Sequence, residues 1–156
     1  MIVWRLCRKK HSRTPLDGEG AKKYGGRWNH KGLQLVYCSS TLSLCTLEYL
    51  VHLQADLMPA DLVSISIELP DSISIKNVEL KHLPRGWQKY PAPSELQDLG
   101  TKWAKSRHSL ALRVPSSLIP VEYNYILNPD HAEFTKVIIK ETEPFKFDPR
   151  LVGKRN

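Results

Sequence analysis

The clearest pattern in the chain is the alternation in "DLVSISIEL" (61–69). Val63, Ile65 and Ile67 point one way, and Ser64, Ser66 and Glu68 the other, as in a half-buried strand. Shorter apolar runs read as further strands: "IVWRLC" (2–7), "LQLVYCS" (33–39), "SISIKNV" (72–78), "LALRV" (110–114), "NYIL" (124–127), "KVIIKE" (136–141) and "FKF" (145–147). Pro and Asn turns separate them. Two segments change period. "TLSLCTLEYLVHL" (Thr41–Leu53) reads as a helix. "PSELQDLGTKWAKSR" (93–107) sets Leu96, Leu99, Trp103 and Ala104 on one helical face. It opens with Ser94 three residues before Gln97, a capping-box pattern, and closes on Lys105 and Arg107, where the macrodipole favours cations. Gly100 weakens that helix slightly. "HSRTPLDGEGAKKYGG" (11–26) reads as loop, punctuated by Pro and Gly. Strands outnumber helices and arrive in runs. The expected fold is α+β, a mixed or mostly antiparallel β core with flanking helices.

Length and composition narrow the class. A chain of 156 residues fits one domain, spanning 1–156, and buries enough surface to need no staples. Hydrophobic residues make up 41% and charged residues 25%, ordinary for a globular protein. No apolar stretch approaches the ~18 residues of a membrane helix. "MIVWRLCRKKH" has no apolar region followed by a cleavage site, so a cytoplasmic location is expected. Three irregularly spaced cysteines, Cys7, Cys38 and Cys45, fit a reducing compartment, and Cys38 and Cys45 read as small core residues. No zinc-type spacing occurs, so no metal is expected. The net charge of +7 favours an anionic partner, although much of it lies in "RLCRKKHSR" and "GKRN" at the termini, where a solvated basic end also accounts for it. A basic nucleic-acid-binding module is therefore an alternative class, without any helix-turn-helix, RNP or zinc pattern behind it.

One residue stands out against its helix. Stepping about 100° per residue, Glu48 falls about 40° from Leu44, between Leu44 and Cys45 and on the apolar side. An unpaired buried carboxylate is costly, so Glu48 is either an ion-pair partner, for Arg5 or Arg27, or a site residue in a cleft. Upstream lies "YGGRWNHKG" (24–32), where glycines leave room for a close approach and Arg27 can grip an anion. "GEGAKKYGG" follows no strand and opens no clear helix, so it is not a dinucleotide fingerprint. The glycine pair also suits a plain tight turn, Trp28 core packing, and Tyr37 an ordinary strand aromatic. Taken together, a loop–strand–helix path can bring Arg27, Tyr37 and Glu48 to one side of a sheet. A guanidinium for a phosphate, a ring for stacking and a carboxylate for a sugar cation suit cleavage of a nucleotide's glycosidic bond.

The segments that carry these residues resemble a known family. "GGRWNHKGLQLVYCSSTLSLCTLEYLVH" and "LRVPSSLIPVEYNYILNPDHAEF" are similar to the two signatures of the RES-domain family, and "FKFDPRL" to its usual ending. Members are the toxin half of bacterial toxin–antitoxin pairs, named for an Arg, a Glu and a Ser. The resemblance implies a fold related to ADP-ribosyltransferases and NAD as substrate, with no resident cofactor. NAD is degraded by phosphorolysis, with phosphate as co-substrate, or by hydrolysis; the alternative is ADP-ribosyl transfer to a protein. It also implies a helix-turn-helix (Xre-type) antitoxin that covers the site and alone meets operator DNA, and a homodimer. On this reading Arg27 holds a phosphate, Tyr37 stacks near nicotinamide and Glu48 stabilises the ribose cation. Ser116 binds substrate or fixes Arg27, with Ser117 beside it as the other candidate. Tyr24, Trp28, Asn29 and Ser39 form pocket wall. Asn124, Asn128 and His131 also lie in the second signature, His131 as a turn-stabilising residue.

Overall fold

The computed structural model describes residues 1–53 and 59–152. The basic "GKRN" end lies outside the described residues. Seven strands form one sheet: β1 (Ile2–Arg8), β2 (Val36–Ser39), β3 (Leu62–Glu68), β4 (Ile75–Asn77), β5 (Ala111–Pro115), β6 (Tyr123–Leu127) and β7 (Ile138–Phe145). Their order is β4-β5-β6-β2-β1-β3-β7, and only β4 and β5 run parallel. The helices are α1 (Glu19–Tyr24), α2 (Leu42–Leu50), α3 (Ser94–Ser106) and α4 (Pro149–Val152), with 3-10 turns at Lys9–His11, Leu80–His82 and Ala132–Lys136. This is the α+β architecture with a mixed sheet that the apolar pattern implies.

Alternation along the strands makes two cores. On one face Val3, Val36, Cys38, Val63, Ile65, Ile67 and Leu127 pack together. On the other, Leu112, Val114 and Ile126 meet Leu96, Trp103 and Ala104 of α3 and Trp28. All three cysteines are free and buried; burial pushes the Cys38 thiol up to about 12 and the Cys45 thiol up to about 11, as inert core groups require. β1 and β2 share a single register pair, Trp4 with Ser39. Where they part, Arg5 Nη1 donates to the Tyr37 carbonyl at 2.9 Å and replaces a ladder bond.

Several local expectations are corrected. The segment 11–26 is not all loop. Asp17 accepts from the Glu19 amide at 3.0 Å and starts α1, a helix with no buried residue and hence no apolar period to read. β3 is an inner strand with Ser64 and Ser66 buried as well as its apolar residues, so it is not half-buried. The strand expected at Leu33–Ser39 begins only at Val36, and Phe147 lies past the end of β7, edge-on to Phe145 and tilted against Tyr49. Thr41 caps α2 by accepting from Leu44 at 3.1 Å. The capping box of α3 does not form: Pro93 takes the N-cap position without a side-chain bond, and Gln97 reaches elsewhere. Gly100 is buried because α3 crosses the glycine loop there, and a Cβ would collide with the Trp28 carbonyl oxygen.

Candidate active site

The site is built on the α3 face of the sheet. Gly25, at φ 73°, ends α1, and Gly26 pairs with Asn29 in a two-residue turn that carries Arg27 and Trp28 at its tip. A Cβ on Gly26 would come within 2.6 Å of the Tyr37 hydroxyl, so only glycine fits. Tyr37 donates to Asn29 Oδ1 at 2.7 Å and accepts from the Trp28 amide at 3.2 Å. Asn29 is buried, its amide donating to the Ala21 and His30 carbonyls at 3.0 and 2.9 Å. Gln97 closes the loop from α3, donating to the Gly26 and Asn29 carbonyls at 3.0 and 3.3 Å. The loop is thereby rigid before any ligand arrives, and Arg27 leaves it with a defined direction.

Arg27 Nη1 donates to the Trp87 carbonyl at 2.6 Å and the Lys89 carbonyl at 3.2 Å. No hydrogen bond among the described residues uses its Nε or Nη2. That edge has the fork geometry that matches a phosphate. Burial lowers the Arg27 pKa, while the Glu48 charge and Tyr37 push it back up; the guanidinium stays cationic. Burial also pushes the Tyr37 phenol up, so it stays neutral at working pH.

Glu48 enters from α2, which packs across β1 and β2. The buried residues of that helix are Leu44 and Cys45, so its inward direction runs through Glu48 itself. Leu47 and Val51, which the helical wheel puts on the apolar side, are 37% and 56% exposed. Glu48 pairs with neither Arg5 nor Arg27. Its Oε1 accepts from Ser116 Oγ at 2.7 Å and from Asn124 Nδ2 at 2.6 Å. Ser116 is fully buried, and its oxygen accepts from the Leu118 and Ile119 amides at 3.1 and 3.2 Å. Those two donors leave the hydroxyl proton for the carboxylate. Ser116, not Ser117, therefore touches Glu48; Ser117 offers its carbonyl to Gln88 at 3.0 Å.

Arg27, Tyr37, Glu48 and Ser116 thus come to one side of the sheet. Ser116 fixes Glu48 rather than Arg27. The pocket-wall set divides. Ser39 is buried in the site, donating to Asn124 Oδ1 at 2.7 Å. Trp28 and Asn29 belong to the loop itself and bury their side chains, Trp28 in the core beneath α3. Tyr24, the last residue of α1, is 69% exposed, with Lys23 Nζ 5.2 Å from its ring centroid. Asn124 is the residue that sequence reasoning underweighted. Its signal was the sheet register, since it stands opposite Ser39 on β2 and Val114 on β5. His131 caps the Ala132–Lys136 turn by accepting from Glu133 at 3.1 Å. Among the described residues no cluster of three His, Cys, Asp or Glu side chains suits a metal ion, and no helix is long and apolar enough to cross a membrane.

The RES domain model matches residues 2–148. The chain belongs to the RES domain family. This RES protein is 40% identical over 153 residues to "Toxin Res" of Yersinia enterocolitica, covering 97% of this chain and 99% of the relative. It is 39% identical over 155 residues to "Toxin Res" of Photorhabdus laumondii, covering 97% of each. The "Prs ADP-ribosylating toxin" of a Sphingobium strain is 34% identical over 155 residues, with 97% and 96% covered. These full-length relatives make it a RES protein of the toxin type. Its fold also superimposes on a chain of the M. tuberculosis MbcT–MbcA toxin–antitoxin complex, with a TM-score of 0.75 at 19% identity, covering 97% of this chain and 86% of that one.

Proposed function

We propose that this RES protein is a toxin that breaks the bond between nicotinamide and ribose in NAD and so drains the cellular pool. The observation that carries the reading is that a pinned carboxylate, Glu48, and a guanidinium, Arg27, whose Nε and Nη2 make no hydrogen bond among the described residues, stand on one side of the sheet without pairing with each other. As the bond breaks, its electron pair leaves with the nicotinamide nitrogen and positive charge develops on the ribose. The Glu48 carboxylate opposes that charge in a site partly shielded from water, where such stabilisation is strongest. Arg27 takes a phosphate of NAD or the incoming phosphate anion. An oxygen of the incoming phosphate anion then bonds to the ribose carbon, giving nicotinamide and a phosphorylated ADP-ribose, with one proton released; water in its place gives hydrolysis. Tyr37 offers a neutral ring to the leaving group.

A second reading is transfer of ADP-ribose to a protein, which the name of the 34%-identical Sphingobium relative favours. The two share the cation and differ in what attacks it. Purified protein incubated with labelled NAD, with and without phosphate, separates them. Nicotinamide release that rises with phosphate and leaves the label soluble supports phosphorolysis; label fixed on a protein band supports transfer. No release in any arm overturns both. An antitoxin partner belongs to the same proposal, supported by the fold likeness to a chain from a toxin–antitoxin complex and by a net charge of +7 that suits an acidic partner.

A further inference from the structure

The two oxygens of Glu48 are treated differently. Oε1 accepts both hydrogen bonds, from Ser116 and Asn124, and no hydrogen bond among the described residues reaches Oε2. A carboxylate can only accept, so the group that Asn124 turns towards it has to be the amide –NH2. Asn124 Oδ1 then faces the opposite way, where the Ser39 hydroxyl donates to it at 2.7 Å. Ser39 is 3% exposed and stands in register with Asn124 across β2 and β6. Removing that hydroxyl would leave the orientation of the amide to its bond with Glu48 alone. The order of donors runs in one direction, from Ser39 through Asn124 to Glu48, while Ser116 closes on the same oxygen from the turn after β5.

We propose that Ser39 and Asn124 form a positioning pair for Glu48. Asn124 pins Oε1, Ser39 locks the orientation of the amide, and Oε2 alone is presented to the ligand. The inference rests on the reading of Glu48 as the group that faces the sugar cation. Neither Ser39 nor Asn124 touches substrate; both act through Glu48. Among the described residues, Arg27 from the glycine loop and Cys45 from α2 act electrostatically with Glu48. Burial keeps Cys45 a neutral thiol, so Arg27 is the charged one of the two.

Asn124→Asp tests the pair, because it keeps the shape, removes the donor and sets two carboxylates against each other. The two then share a proton once the pH falls below the upper apparent pKa of the pair, and the shared proton restores a donor to Glu48. At neutral pH, kcat for nicotinamide release should drop about 100-fold, with KM moving far less. It should recover on acidification, a recovery that Asn124→Ala does not show. The second readout needs no NAD. In protein carrying carboxyl-13C glutamate, the Glu48 resonance, assigned by its loss in Glu48→Gln, should titrate in two steps in Asn124→Asp and at higher pH than in the unmutated protein. A Glu48 titration that is the same in both, or neutral-pH kcat equal to that of the unmutated chain, overturns the pair. A shifted titration in a protein that releases no nicotinamide supports the pair and overturns the NAD reading instead. Should Asn124→Asp fail to fold, Ser39→Ala carries the test: kcat should fall about tenfold, the worth of one hydrogen bond, at little-changed KM. Unchanged kcat there overturns the proposal.

Discussion

The two charged groups of the site are held by opposite means. Glu48 is pinned by side chains, Ser116 and Asn124, which stand on or next to sheet strands. Arg27 is held by main chain: the Trp87 and Lys89 carbonyls take its Nη1, and its loop is closed by carbonyls that Gln97 grips and by the contact of Gly100 with Trp28. A side-chain clamp can be loosened one residue at a time without moving the backbone. A backbone clamp cannot, because the groups that form it are also the fold. Damage on the carboxylate side should therefore show first in catalysis, and damage on the guanidinium side first in stability.

The largest effect tests the carboxylate side. Glu48→Gln keeps a carbonyl oxygen that can still accept from Ser116 and Asn124, so the network survives and only the charge goes. The expected loss in nicotinamide release is about 1,000-fold, roughly 4 kcal/mol of barrier, with an unchanged urea midpoint. Full activity would remove Glu48 from the chemistry. The next effect tests the other side. Gly100→Ala places a methyl against the main-chain carbonyl oxygen of Trp28, with no flexible side chain to yield. Destabilisation of about 3 kcal/mol or more is expected in urea unfolding, with activity falling only as the loop shifts. If Gly100→Ala were as stable as the unmutated protein, the guanidinium side would not be a backbone clamp.

The same asymmetry explains what could be read in advance. Arg27, Tyr37 and Glu48 could be proposed from the residues themselves, because side chains carry their chemistry in the sequence, and Ser116 from the resemblance to the RES-domain family. Glu48 betrayed itself as a charge on an apolar face, β3 by its alternation and the other strands as short apolar runs. Even so, the wheel placed Leu47 and Val51 inside, when the inward direction of α2 runs through Glu48 and leaves both exposed. Asn124 needed the register of β6 against β2, which local pattern does not contain. The Trp87 and Lys89 carbonyls leave no residue-level mark at all. Gly100 and Gln97 did leave marks and were misread by local rules, one as a helix flaw and the other as half of a capping box. Both are long-range contacts to the glycine loop, and a tertiary contact outweighs a local preference of under about 1 kcal/mol.

Gln97 gives a gentler probe of the guanidinium side. Gln97→Ala removes both bonds to the loop from a half-buried position and leaves the Gly26 and Asn29 carbonyls only the bonds they make with each other's amides across the turn. The expected cost is about 1 kcal/mol in urea unfolding. KM for NAD should rise more than kcat falls, since the loop that aims Arg27 loosens while Glu48 stays pinned. A fall in kcat alone would mean that the two sides are not separately held.

The smallest effect comes from a clamp that touches neither side and so serves as the control. Glu133, in the 3-10 turn before β7, accepts at Oε2 from the Ser74 hydroxyl and amide at 2.6 and 3.0 Å and at Oε1 from Lys136 at 2.9 Å. These bonds hold its carboxyl down to about 2, from an ordinary 4.5. A carboxyl lowered on folding adds stability that is complete above its unfolded value and is lost as pH falls towards its folded one. Glu133→Gln should therefore be less stable than the unmutated protein at neutral pH, and the gap should close between about pH 4.5 and about pH 2. Urea midpoints measured for both proteins across that range read the gap directly, and a gap that does not change with pH would deny the clamp its charge. Nicotinamide release by Glu133→Gln at neutral pH should match that of the unmutated chain, because the clamp ties a turn to the β4–β5 edge and sends no bond towards Glu48 or Arg27. With the control behaving so, an activity loss in Glu48→Gln belongs to the site rather than to any weakening of the fold.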